Sequence, residues 1–265
     1  MAPYDFAAPD ADIILRSSDG KEFLVHKLIL SLASPVFQGT FDLPQPTRTP
    51  PSEISIVSIP EPSDILGPFL QYLYPRSPPE VSDLAMWAAL CTIADKYDAD
   101  VVIGTLRNVL IPRFLDTSPL RVYALASRWG FEEEAKIASR RTLTIDLLKD
   151  FPREDAELMD GVACQKLYHL HASRQAAARA FITNHPLPER NRYCHCSQQN
   201  YTGLVQSLCQ RVGTIPWLTA EGMYEDIAKW DHPTACGNAC HNSIRSVNAY
   251  FSSLLKGVSE LPQTI

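Results

Sequence analysis

The chain lacks any run long and apolar enough to cross a bilayer: no stretch approaches the roughly 20 apolar residues of a spanning helix. Its first residues, MAPYDFAAPDAD, carry neither a basic n-region nor an apolar h-region, so no secretory signal is expected. The chain is therefore read as intracellular, in the cytoplasm or the nucleus. An excess of positive charge is also missing. Lys plus Arg is 24 against 30 for Asp plus Glu, a net charge of -6. That disfavours the clustered cations of a phosphate-binding footprint, so neither nucleic acid nor membrane is an expected partner. Glycine is scarce, with 11 scattered residues. No phosphate-cradling glycine loop, G-x-G-x-x-G, G-x-S-x-G or H-E-x-x-H occurs. The run Glu132, Glu133, Glu134 reads as the solvated start of a helix, and no enzyme is expected.

What is present is enough apolar material for a core, 45% of 265 residues, in one large domain or two small ones. Proline crowds the first part: 13 of 21 fall before residue 81, which marks short elements and turns. ADIILRSSDGKEFLVHK places two apolar runs around Asp-Gly, a hairpin signal. Phe23 and Val25 alternate inward, and His26 and Lys27 stand where strand gives way to helix. Leu28, Leu32 and Val36 recur every four residues, which predicts a buried helical face with Leu28 and Leu32 in the core. Pro35 ends that helix after Ser34. Phe37 and Phe41 continue an apolar face in the next helix. LPQPTRTPPSE (43–53) is a surface loop. ISIVSI (54–59) alternates as a half-buried strand, with Ile54, Ile56 and Ile59 near one face.

From residue 63 the pattern becomes helical. Leu84, Trp87, Cys91 and Ala94 recur at helical spacing behind Ser82 as N-cap. Ser118, Pro119 and Gly130 suit the start and end of another helix. There is an internal echo: Lys96-Tyr97 and Arg128-Trp129 each sit between a small residue and a turn, which suggests stacked helical hairpins. A further amphipathic stretch, roughly 154–184, carries Leu158, Val162, Leu167 and Leu170. His169 and His171 are two apart, so they face different sides of that helix and are expected at the surface or as caps. Cys91 and Cys164 read as core residues.

Taken together, the Asp-Ile-Ile strand, the Asp-Gly turn, Phe-x-Val-His-Lys, Leu-x-x-x-Ser-Pro-x-Phe and FLQYLYP resemble the BTB/POZ domain, and they arrive in its order. The layout looks like the BTB proteins expanded in fungi. The resemblance implies an α+β N-terminal domain at 10–115, a small sheet covered by helical hairpins. A helical extension would follow at 116–190, then a mainly helical, Cys/His-containing tail at 191–265. It also implies a protein–protein interaction module or scaffold: a substrate adaptor for a cullin-type ubiquitin ligase, or a transcription-linked scaffold. Asp12 would lie near a partner-facing groove with His26 and Lys27. The residues alone allow another reading, in which Asp12 caps a turn and His26 is a satisfied core histidine.

Two departures matter. Only 11 residues precede Asp12, interrupted by Pro3 and Pro9, so a swapped-strand dimer is disfavoured and loss of the leader is expected to leave stability unchanged. The hydrophobic-x-Glu motif of cullin-binding relatives has only PSE (51–53) as its counterpart. The tail holds two close cysteine pairs, Cys194 with Cys196 and Cys236 with Cys240, and His195, His232, His241 and Cys209 nearby. Zinc takes four such ligands in a tetrahedron, so a structural zinc is one expectation. Buried thiols are the other. The alternative to an interaction module is accordingly a zinc-stabilised regulatory or catalytic tail, tethered by the N-terminal domain.

Overall fold

The computed structural model describes residues 5–43, 54–186, 197–218 and 241–263. It divides into two compact units, Met1–Phe114 and Leu115–Ile265.

In the first unit, β1 (Ile13–Arg16) and β2 (Glu22–Val25) form an antiparallel hairpin. Gly20 takes φ +86° in the turn, a conformation open to glycine. Asp19 of the same turn accepts the Ser63 amide at 3.0 Å and its hydroxyl at 2.6 Å. Hydroxyl bonds from Ser17, then Ser63, hold its carboxyl down at about 2. The register pairs Ile13 with Val25 and Leu15 with Phe23, and all four side chains are buried. Then α1 (Lys27–Ala33) and α2 (Pro35–Asp42) follow, and β3 (Ser55–Ser58) returns parallel to β1, giving the order β2-β1-β3.

Under the sheet lie α3 (Ser63–Leu73), α4 (Leu84–Lys96) and α5 (Asp100–Phe114). Leu66, Phe69, Leu70, Trp87, Leu90, Leu106 and Leu110 are buried there. Trp87 satisfies its indole N–H on the Leu106 carbonyl at 2.9 Å, so the ring is buried without an orphaned donor. Ser34 explains the Ser-Pro step. It is fully buried, its Oγ accepts the Phe37 amide at 3.1 Å to cap α2, and its hydroxyl donates to the Tyr97 carbonyl. Phe37 stacks on Tyr97 at 4.7 Å, beside that bond.

Four expectations are corrected. In α1 the core residue is Leu30, while Leu28 and Leu32 are 70% and 80% exposed. Leu30 lies two residues from each, about 200° around a helix of 3.6 residues per turn, so α1 is apolar on two sides and spacing alone cannot choose between them. In β3, Ile54 and Ile56 face outward. Pairing Val57 with Leu15 turns Val57 and Ile59 toward the core, and a period of two forces Ile56 out beside Ile14 and Leu24. The N-cap of α4 is Asp83, whose carboxylate accepts the Met86 amide at 2.8 Å; the Ser82 hydroxyl donates to Asp83 instead. The leader is not idle. Phe6 is buried edge-on against Phe23 and Tyr74, and its carbonyl accepts the Leu24 amide at 2.9 Å.

The second unit begins with α6 (Pro119–Arg128) and α7 (Glu132–Thr142), followed by the short α8 (Leu147–Asp150) and α9 (Arg153–Leu158). The internal echo is structural. Asp98 and Gly130 both take positive φ, 52° and 68°. Beyond each, an amide reaches back five residues, Ala99 to the Ala94 carbonyl and Phe131 to Ala126, both at 2.8 Å. The α4–α5 and α6–α7 joins are therefore the same left-handed helix stop, built once with Asp and once with Gly.

The predicted amphipathic stretch is two helices, α9 and α10 (Gly161–Asn184), split where Asp160 caps α10 through the Ala163 amide at 2.6 Å. Val162 is exposed in that first turn, and Cys164 is only half-buried, while Cys91 is in the core. His171, expected outside, is buried with Nε2 3.1 Å from Thr142 Oγ1. The Thr142 hydroxyl donates to the Ser139 carbonyl, so Nε2 carries the proton and Nδ1 is left buried without a partner.

Further along, α10 packs with α11 (Ser197–Val212) and α12 (His241–Glu260) around Ile182, Leu208, Val212, Phe251, Leu254 and Val258. Arg174 is buried at this seam. Its guanidinium donates to the carbonyls of Pro216, Val258 and Pro262 and lies over Trp217 at 5.4 Å. No described helix is long and apolar enough to cross a membrane.

Candidate interaction surface

Asp12, His26 and Lys27 come together where β1 begins, β2 ends and α1 starts. Asp12 Oδ1 accepts the Lys27 amide at 2.8 Å, which satisfies an orphan donor of α1 and sets a negative charge at the helix's positive end. The His26 amide donates to the Tyr74 hydroxyl at 3.0 Å, and the ring Nδ1 is also 3.0 Å from that oxygen. Nε2 is 3.4 Å from Asp10 Oδ1. One arrangement satisfies every group: the Tyr74 hydroxyl accepts the backbone N–H and donates to Nδ1, leaving Nε2–H toward Asp10. Asp12 is exposed and His26 and Lys27 are half-buried, so the cluster is both a local brace and part of the surface.

Tyr74 and Asp10 were not singled out from the sequence. Tyr74 lies 48 residues from His26, and only packing brings them together. Sequence reading also missed the apolar surface that adjoins the cluster. Lys27 is followed at once by Leu28, and Leu28 and Leu32 form an exposed stripe on α1. Val36 at 40% and Leu43 at 64% add exposed apolar area on and after α2. Exposed Leu singly is ordinary; Leu28 and Leu32, one turn apart, are exposed together on α1. The charged residues of α1 and α2 are Lys27 and Asp42, one at each extremity.

Cys194, Cys196, Cys236 and Cys240, with His195 and His232, lie outside the described residues, as does the PSE segment at 51–53. Cys209 is half-buried, with Sγ 3.7 Å from Thr183 Oγ1. No group of three or more His, Cys, Asp or Glu among the described residues is placed to hold a metal ion.

The first unit is thus a small three-stranded sheet with helical hairpins and exposed leucines on α1. The family model for the BTB/POZ domain matches residues 8–112. The chain carries a BTB/POZ domain there, a protein–protein interaction module, ahead of a helical C-terminal region. No curated protein matches the chain.

Proposed function

We propose that this protein is a non-enzymatic adaptor or scaffold inside the cell, and that its BTB/POZ domain docks a partner protein on the face formed by Leu28, Leu32 and Val36. Asp12, His26 and Lys27 border that face and give it orientation. The observation that carries this reading is the exposure of Leu28 and Leu32 on a helix whose opposite side is already buried through Leu30. A folded domain gains nothing internally from those two leucines, and their contribution comes when a partner removes them from water. The cluster supports the same reading. Its groups are hydrogen-bonded to one another, which suits positioning a contact more than moving a proton.

The test is affinity capture from native extract, with the full chain as bait in wild-type and Leu28→Asp/Leu32→Asp forms. Both forms should fold alike, since neither side chain is in the core. Partners specific to the wild type should disappear from the double variant. Equal recovery by both baits would remove α1 as the docking face. Finding a cullin among those partners would select the ubiquitin-ligase adaptor reading; its absence together with chromatin-associated partners would select the transcription-linked scaffold.

A further inference from the structure

The sequence holds four Ser/Thr-Pro steps, at Ser34, Thr49, Ser77 and Ser118, and the fold treats them differently. Ser34 is fully buried, and its hydroxyl is committed to the Tyr97 carbonyl. Ser118 is half-buried, and α6 begins at Pro119, so no extended chain follows it. Thr49 lies outside the described residues. Ser77 differs on each count. It belongs to the stretch 74–83, which joins α3 to α4 without helix or strand, and Pro75, Arg76, Ser77 and Pro78 are all exposed. Its backbone is held in place: the Gln71 side-chain amide donates to the Ser77 carbonyl at 3.2 Å, and three residues on Glu80 accepts from Arg113 of α5 at 2.6 Å. Pro78 disfavours helical angles at the residue before it, which biases Ser77 to an extended backbone. Among the described residues the Ser77 hydroxyl makes no hydrogen bond.

We propose that Ser77 is a phosphorylation site, the acceptor for a proline-directed protein kinase. A kinase must bring the acceptor hydroxyl in line with the γ-phosphorus of ATP, which needs a serine that stands clear of its own fold. Pro78 supplies the recognition. It has no backbone N–H, so it fits a pocket that offers that position no acceptor, where any other residue would bury an unpaired donor. In the transfer the Ser77 O–H bond breaks and its proton passes to the kinase's catalytic carboxylate. The oxygen bonds the γ-phosphorus, the bridging bond to the β-phosphate breaks, and ADP leaves. The product places a charge of about −1.5 to −2 beside Arg76 on the α3–α4 connection. This site is separate from the α1 face and stands or falls without it.

The test uses the full chain with ATP and a purified cyclin-dependent kinase as the probe enzyme, and separately with ATP in native extract. Phosphopeptide mapping by mass spectrometry reads the position, and the rate of incorporation at Ser77 is followed in each variant. Both reactions should place phosphate on Ser77 and leave Ser34 and Ser118 bare. Ser77→Ala should lose that phosphate. Pro78→Ala should slow incorporation at Ser77 at least tenfold, and both positions are exposed, so the variants should fold alike. Leu28→Asp/Leu32→Asp should change nothing here. No phosphate at Ser77 with the purified kinase, or modification of Ser34 or Ser118 as fast as Ser77, would overturn the site. An unchanged rate in Pro78→Ala would overturn its proline-directed class. Phosphate at Ser77 from the purified kinase and none from the extract would overturn its use by the cell's own kinases.

Discussion

The orientation of α1 can be tested by two truncations two residues apart. Leu30 is fully buried and Leu32 is 80% exposed, though both are leucines of one short helix. Leu30→Ala removes buried atoms and leaves a cavity, costing about 2–5 kcal/mol. Leu32→Ala removes atoms already in water and should stay within about 0.5 kcal/mol. Helix propensity changes equally in both and cancels. The difference of at least about 1.5 kcal/mol is therefore a readout of which side of α1 faces inward. Urea unfolding of the full chain provides the assay. Circular dichroism gives the transition, and the indole N–H NMR signal of Trp87, one of four tryptophans and the one in this unit, reports on this domain. Two units can unfold in separate steps, so the comparison belongs to the step that Trp87 follows. Equal losses in the two variants, or a larger one for Leu32→Ala, would mean that α1 is rotated by about half a turn and that the docking face is really core.

The paired helix stops make a prediction of opposite signs: Asp98→Gly should stabilise the first unit by about 0.5–1 kcal/mol, and Gly130→Ala should destabilise the second by about 1 kcal/mol. The same sign for both in thermal unfolding would contradict the shared left-handed geometry. Burial holds His171 near 4, below its ordinary 6.5, with Asp146 opposing. The unfolded chain therefore binds a proton that the folded one refuses, and stability should fall as pH drops from about 6.5 toward 4. His171→Gln should flatten that part of the melting profile, and an unchanged profile would acquit His171. Zinc shared by Cys194, Cys196, Cys236 and Cys240 predicts about one zinc per chain in the purified protein. A metal-free preparation with full native helicity would exclude it.

Features set by neighbours in the chain were legible beforehand. Asp-Gly marked the hairpin, Ser34-Pro35 marked the α1–α2 join, and Gly130 marked a helix end, because each acts through its own backbone angles or a bond three residues away. The family pattern added the small sheet covered by helical hairpins, while the strand order came from the structure. What stayed hidden depends on distant partners. Leu30 and Leu32 are the same residue type, and only the sheet and α3 decide which is buried. Ile56 reads as core until its pairing with Ile14 fixes its face. His171 looked like a surface residue because nothing local announces Thr142, 29 residues away. The Tyr74–His26 brace has no sequence signature, since it joins separate elements. Phe6 shows the same limit. The prolines around it suggested an idle leader, whereas an aromatic pocket between Phe23 and Tyr74 fixes it.

The central claim is that α1 is where a partner sits, and hydrogen exchange on the complex measures it most directly. The full chain is mixed with the partner recovered by the wild-type bait, and peptides covering residues 24–43 are compared with and without it. Contact there predicts slower exchange across α1 and the start of α2, with little change in α4 and α5. Protection elsewhere, with exchange at residues 27–36 unchanged, would contradict the account.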